Sequence, residues 1–281
     1  MIVASLGSDL ARAHAEDVRE SLASRYPGEV ELHPLVVDDL LGSVLAGKAD
    51  VAVHRMEHLD AGIPEDLTLA ALLPRRSFTD ALVADAPLRS LPRQARIGTS
   101  NVRRRALLLR ARPDLQVLET HADVRSRIQQ WRVGEWDGVV LPTISLKRLD
   151  LDAPFEELDP STFVPSAGQG AIGCVCKRGS PFEAFLEGID DARTRTEVEI
   201  ERSVLHALGV RPGAPVGVHA AKRGDRVVVN AVVVSLDGRR AVTLKHDLSA
   251  KDALYEADEF AERLRRMGGD VLLEQARKAL G

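Results

Sequence analysis

Apolar positions along the chain switch between two periods. Short apolar runs at residues 2–6, 30–37, 50–54, 96–98, 116–118, 138–141 and 172–176 predict strands, those at 50–54 and 138–141 apolar enough to be buried. Between them, apolar residues recur at helical spacing over 9–26, 38–47, 102–112 and 123–131. Pro27-Gly28 stops the first of these helices, Pro113 closes the third, and Asp123 caps the fourth. Residues 180–208 read as helical. Residues 214–246 alternate instead, with Arg223-Gly224-Asp225 and Asp237-Gly238 at hairpin turns, and charged helical patterns run from 250 to 280. Strands and helices in alternation predict an α/β architecture, and the last third predicts an α+β unit around a small antiparallel sheet.

A length of 281 residues suits two domains or three small ones. With 42 acidic and 38 basic residues the net charge is −4, and aromatic residues are only 4%. Both figures argue against a nucleic-acid partner. Of the 38 cations, 31 are arginine, the side chain that forks onto carboxylates. Cys174 and Cys176, two apart on a predicted strand, face the same way and are read as small apolar residues rather than as a disulfide, a metal pair or a nucleophile. No signal peptide and no long uncharged apolar stretch is present, so a cytoplasmic protein with no membrane partner is expected, as a monomer.

The strongest local signal is the run from Ile97 to Arg105. A strand ends, Thr99, Ser100 and Asn101 follow, and a helix begins with Arg103 and Arg104 on its first turn. Free N–H groups at a helix start, hydroxyl donors and guanidinium forks together suit an anion. A second strand-to-helix junction at His121-Ala122-Asp123 brings in Arg127. Two such junctions of one parallel sheet converge at its carboxyl edge. The alternative is an ordinary N-cap with a solvated basic face. The string His54-Arg55-Met56-Glu57-His58 matches H-x-x-E-H, but His54 ends a strand, so the two histidines do not share a helical face and no metal is expected. His58, in a loop after a strand, is either a general acid/base or a solvent-facing residue.

Over nearly its whole length the chain resembles the hydroxymethylbilane synthase (porphobilinogen deaminase) family. The resemblance is carried by IGTSNVRRRALLLRARPDLQVLETHADVRSRI, DGVVLPTISLKRLDL, VPSAGQGAIGCVCK, ERSVLHALGVRPGAPVGVHA and the segment around DVAVHRMEHLD. It implies two lobes like those of periplasmic binding proteins, with the active site between them, and a third domain. The implied boundaries are 1–76 plus about 171–190 for the first domain, 77–170 for the second and 191–281 for the third. In the family a third-domain cysteine anchors a dipyrromethane cofactor that primes condensation of four porphobilinogens with loss of ammonia, and arginines hold the acetate and propionate groups. The matching positions here are Ser8, Thr99, Ser100, Arg103, Arg104, Arg127 and Gln169, with Asn101 in place of a serine.

The departures fall on the chemistry. Where the family writes V-H-S-M-K-D, Glu57 stands for the lysine and His58 for the catalytic aspartate. Pro212 stands at the cofactor cysteine, His121 and Leu6 replace arginines, and the segment between Val37 and Lys48 is shortened. The expectation is a diverged member that acts on a small carboxylated molecule, with His58 or Glu57 as acid/base and without dipyrromethane. The alternatives are a non-catalytic binding protein and a genuine synthase with atypical priming.

Overall fold

The computed structural model describes residues 1–35, 39–60 and 62–280. Val36, Val37 and Asp38, parts of the predicted strand 30–37 and helix 38–47, lie outside the described residues.

Along the chain the elements are β1 (Ile2–Leu6), α1 (Asp9–Leu22), β2 (Glu31–Leu35), α2 (Leu40–Leu45), β3 (Val51–Arg55), a 3-10 turn (Met56–His58), β4 (Leu67–Leu72), β5 (Asp80–Val83), β6 (Arg96–Gly98), α3 (Val102–Ala111) and β7 (Gln116–Leu118). There follow α4 (Val124–Arg132), β8 (Gly138–Pro142), α5 (Thr143–Arg148), β9 (Phe155–Glu157), β10 (Ile172–Lys177), α6 (Glu183–Glu187) and α7 (Ala192–Ala207). The chain ends with β11 (Val216–Arg223), β12 (Arg226–Val234), β13 (Ala241–Ser249), α8 (Ala253–Leu264) and α9 (Asp270–Leu280). No helix among the described residues is long and apolar enough to cross a membrane.

These strands form three sheets, ordered β2-β1-β3-β10-β4, β7-β6-β8-β5-β9 and β11-β12-β13. In the first sheet β1, β2 and β3 are parallel and β10 is antiparallel to both its neighbours. The second repeats the arrangement: β6, β7 and β8 are parallel and β5 runs against β8 and β9. This is the two-lobed α/β design read from the sequence, followed by the antiparallel three-stranded sheet. Strands such as β8 (GVVLP) are buried at every position because helices cover both faces. The carboxyl ends of the parallel strands carry the loops that open into α1, the 3-10 turn, α3, α4 and α5.

Two crossing segments, residues 73–79 and 158–171, connect the first two sheets. They lie against each other so closely that a Cβ on Gly170 (φ +79°) would sit 1.8 Å from the Ser77 carbonyl oxygen. In the third sheet, Val227, Val229, Ala231 and Val233 pack on the α7–α8–α9 side, while Val232 and Val234 join the core of the second sheet. That period-two division docks the third unit onto the second.

Residues 180–208 are not one helix. Gly188 ends α6, and α7 restarts with the Asp191 side chain accepting from the Thr194 N–H at 2.7 Å. The first helix stops at Leu22 rather than running to Tyr26. The strands at 67–72 and 80–83 and the helix at 143–148 were not singled out in the sequence.

Candidate functional site

The end of β3 and the starts of α1, α3 and α4 bring the sequence-derived residues to the facing edges of the first two sheets. Ser8 caps α1, its Oγ accepting from the Ala11 N–H at 3.3 Å. Asn101 caps α3 through Oδ1 and the Arg104 N–H at 3.0 Å, and Thr99 Oγ1 accepts from the Asn101 N–H at 3.3 Å. Arg127 reaches from α4 to donate to Ser100 Oγ at 3.1 Å and to the Ala122 carbonyl at 2.6 Å. Burial, then the like charges of Arg104 and Arg55, lower the Arg127 guanidinium below its ordinary value, so three arginines share one electropositive region.

Arg103 and Gln169 sit behind this wall. Arg103, 1% exposed, donates to Asp80 Oδ2 at 2.8 Å, the Val164 carbonyl at 2.7 Å, Ser166 Oγ at 3.0 Å and Gln169 Oε1 at 3.1 Å. Gln169 Nε2 donates to the Phe78 carbonyl at 2.7 Å and to Asp80 Oδ1 at 2.9 Å. Both side chains therefore spend their polar atoms on the crossing segments, on Asp80 at the start of β5 and on each other, not on the cleft. Arg104 straddles the two roles, with Nε on Asp80 Oδ1 at 2.8 Å. Burial would raise the Asp80 carboxyl, but Arg103 and Arg104 hold it below its ordinary value.

Glu57 and His58 part company in the 3-10 turn. The Glu57 side chain is 7% exposed and hydrogen-bonds Arg55, whereas His58, 64% exposed, places Nε2 3.7 Å from Glu57 Oε1. Burial pushes the Glu57 carboxyl up, but Arg55, His58 and Arg104 together bring it down to about 2. Glu57 is thus an enclosed anion held by cations from both sheets, and His58 is a rim residue. His54 lies on β3 while His58 ends the turn, and among the described residues no group of His, Cys, Asp and Glu is placed to hold a metal.

The sequence reading missed two neighbours. His14, buried on α1, is lowered to about 3 by burial and by Arg148 and Arg55, Glu57 opposing. Arg148, at the end of α5, pairs with Asp17 of α1 at 2.7 Å. The segment DGVVLPTISLKRLDL, which holds Arg148, carried part of the resemblance, but α5 was not predicted. Neither cysteine is available as a nucleophile. Both are fully buried on β10, and burial raises both thiols, Cys174 to about 12. Pro212 lies in the turn before β11.

Residues 29–182 match the family model described as porphobilinogen deaminase, dipyromethane cofactor binding domain. A probable porphobilinogen deaminase of Methanocella arvoryzae is 34% identical over 304 residues, covering 100% of this chain and 99% of that protein. The porphobilinogen deaminase of Dichelobacter nodosus is 33% identical over 98% of both chains. A probable porphobilinogen deaminase of Methanopyrus kandleri is 36% identical over 91% of this chain and 94% of its own. Among solved structures, an ancestral cationic amino acid solute-binding protein aligns over 67% of this chain and 86% of its own at 12% identity, with a TM-score of 0.46.

The family match corrects the expectation of a chain without dipyrromethane, because the matched region is the domain that binds this cofactor. Arg55, Arg104, Arg127 and the Ser100 hydroxyl suit the acidic side chains of such a group. Pro212 offers no sulfur for a thioether, so what the donor set fits is ion pairing. On the family model and on relatives matched from end to end, the chain belongs to the porphobilinogen deaminase family.

Proposed function

We propose that the chain binds carboxylated pyrroles, porphobilinogen and dipyrromethane, between its first two sheets and performs deaminase chemistry there with Glu57 as the working carboxylate. The observation that carries this reading is the enclosed Glu57 anion, held by Arg55 and Arg104, with Arg127 beside those two arginines. A pyrrole that loses an amino group becomes cationic at its ring nitrogen, and a fixed, poorly hydrated carboxylate stabilises that charge far better than one in water. Arg104 and Arg127 hold the acetate and propionate groups. Dipyrromethane, when bound, supplies the pyrrole carbon that accepts the next unit. His58 Nε2, beside Glu57 Oε1, takes or returns the proton at the rim.

Porphobilinogen consumption and ammonia release by the purified protein test this reading, with native and denaturing intact-mass spectra run beside them. Turnover is expected, lost in Glu57→Gln. An added dipyrrole mass is expected in the native spectrum only. Full turnover by Glu57→Gln sinks the assignment of the carboxylate. A dipyrrole mass that survives denaturation sinks the ion-paired attachment. A second reading, a non-catalytic carboxylate-binding protein, is favoured by the exposure of His58. It wins if porphobilinogen binds tightly and is never consumed.

A further inference from the structure

Arg55 has no counterpart in the arginine set read from the sequence, yet it stands where the facing elements meet. It is the last residue of β3 and precedes the Met56–His58 turn, and the turn brings its guanidinium onto the Glu57 carboxylate two positions on. Its charge is felt at Arg127 on α4 and at His14 on α1. The bond from Arg55 and the approach of His58 both fall on the same Glu57 oxygen, Oε1. The Arg55 side chain is partly exposed while that of Glu57 is enclosed, so the pair lies with its arginine toward the opening.

We propose that Arg55 is a positioning residue: it clamps Glu57 Oε1 to the end of β3 and leaves Oε2 as the oxygen presented to a bound pyrrole. The inference rests on the role given to Glu57 above. A carboxylate on a short turn still has more than one rotamer open to it, and one charge-assisted hydrogen bond selects among them. The same bond keeps an enclosed carboxyl ionised against the burial that opposes its charge. The other titratable or charged groups facing Glu57 are His58 on its own turn, Arg104 and Arg103 on α3, and His14 on α1, which its lowered value of about 3 keeps neutral. Arg104 is tied to Asp80 and Arg103 is spent internally, which leaves Arg55 as the cation bonded directly to the carboxylate.

The test compares Arg55→Met, which keeps length without charge, with Arg55→Lys, which keeps charge without the fork. Porphobilinogen turnover is compared at about pH 7, and the Glu57 carboxyl is followed down to about pH 2.5 by carbon NMR on δ-labelled glutamate, assigned with Glu57→Gln. In Arg55→Met the Glu57 titration is expected to move up from about 2 by about one pH unit or more, with kcat falling more than KM changes. Arg55→Lys is expected to stay close to the parent. Arg55→Gln replaces the methionine variant if that one does not fold. A Glu57 titration unchanged in the neutral variant overturns the proposal, whatever the turnover does. If Glu57→Gln is fully active while the NMR titration still moves, Arg55 does clamp the carboxylate and it is the catalytic role of Glu57 that fails.

Discussion

Arg103→Ala and Arg127→Ala remove the same kind of side chain with different consequences. Arg103 is enclosed against Asp80, so its loss leaves that buried carboxylate with Arg104 as its one arginine and is expected to cost about 3 kcal/mol in urea unfolding, the low end for a broken buried pair. Arg127 donates to Ser100 at the cleft edge, so its loss is expected to leave the unfolding midpoint nearly unmoved. Porphobilinogen binding in that variant weakens by about 1.5–3 kcal/mol, read by calorimetry. His14 makes a pH prediction. Its folded value of about 3 lies below the ordinary 6.5 because of burial first and Arg148 and Arg55 next. The unfolded chain therefore takes up a proton that the folded one refuses. That contribution is complete above pH 6.5 and shrinks as the pH falls toward 3, by about 2 kcal/mol at about pH 5. Denaturation at two pH values checks it, and His14→Gln is expected to flatten the slope by that amount. The hydroxyls, the cap and the arginines of residues 99–104 were legible in the sequence because a helix start is local chemistry. Which of two adjacent arginines turns inward was not, since Asp80 and Gln169 decide it from other segments. Nor was the exchange of prominence between His58 and Glu57, because the cations around Glu57 come from separate elements.

Among the elements, the pair of crossing segments is the least tolerant. Gly170→Ala forces a side chain into a left-handed conformation and into the Ser77 backbone. The expected cost is at least about 1–3 kcal/mol, seen as a lowered melting temperature. The run VPSAGQGAIGCVCK was visible as part of the family resemblance, but the reason for Gly170 is a close approach to a distant segment that no local pattern encodes. The break between α6 and α7 has the same character. Asp190 Oδ1 accepts from the Leu72 N–H at 2.7 Å and also from Arg195, so the interruption serves the edge of the first sheet. Parallel strands such as β3 and β8 were legible from apolar runs alone, whereas β4 and β5 took their place from partners far along the chain.

At the scale of the molecule, α1 reaches across to the second sheet's helices with two carboxylates. Asp9–Arg125 (2.9 Å) is exposed on both sides and is expected to contribute under about 1 kcal/mol. Asp17–Arg148 (2.7 Å) encloses an arginine that is 8% exposed, and Asp17→Asn is expected to cost about 3 kcal/mol, the low end for a buried pair. Small-angle scattering should show a larger radius of gyration in Asp17→Asn and an unchanged one in Asp9→Asn. The third unit is tied in through Glu201, whose carboxylate accepts from Arg75 (2.7 Å), Ala220 N–H (2.9 Å) and Gly168 N–H (2.6 Å). The order of strands in the first sheet also bears on synthesis. β10 is the last of its five strands to be made, yet it lies between β3 and β4. A chain emerging from the ribosome has every strand of the second sheet in hand before β10 exists, and until then β4 has no neighbour in its sheet. The middle of the polypeptide is therefore ready to fold before its beginning. This reverses the usual amino-terminal-first order, and the nascent amino-terminal segment waits with β4 and one edge of β3 open to chaperones.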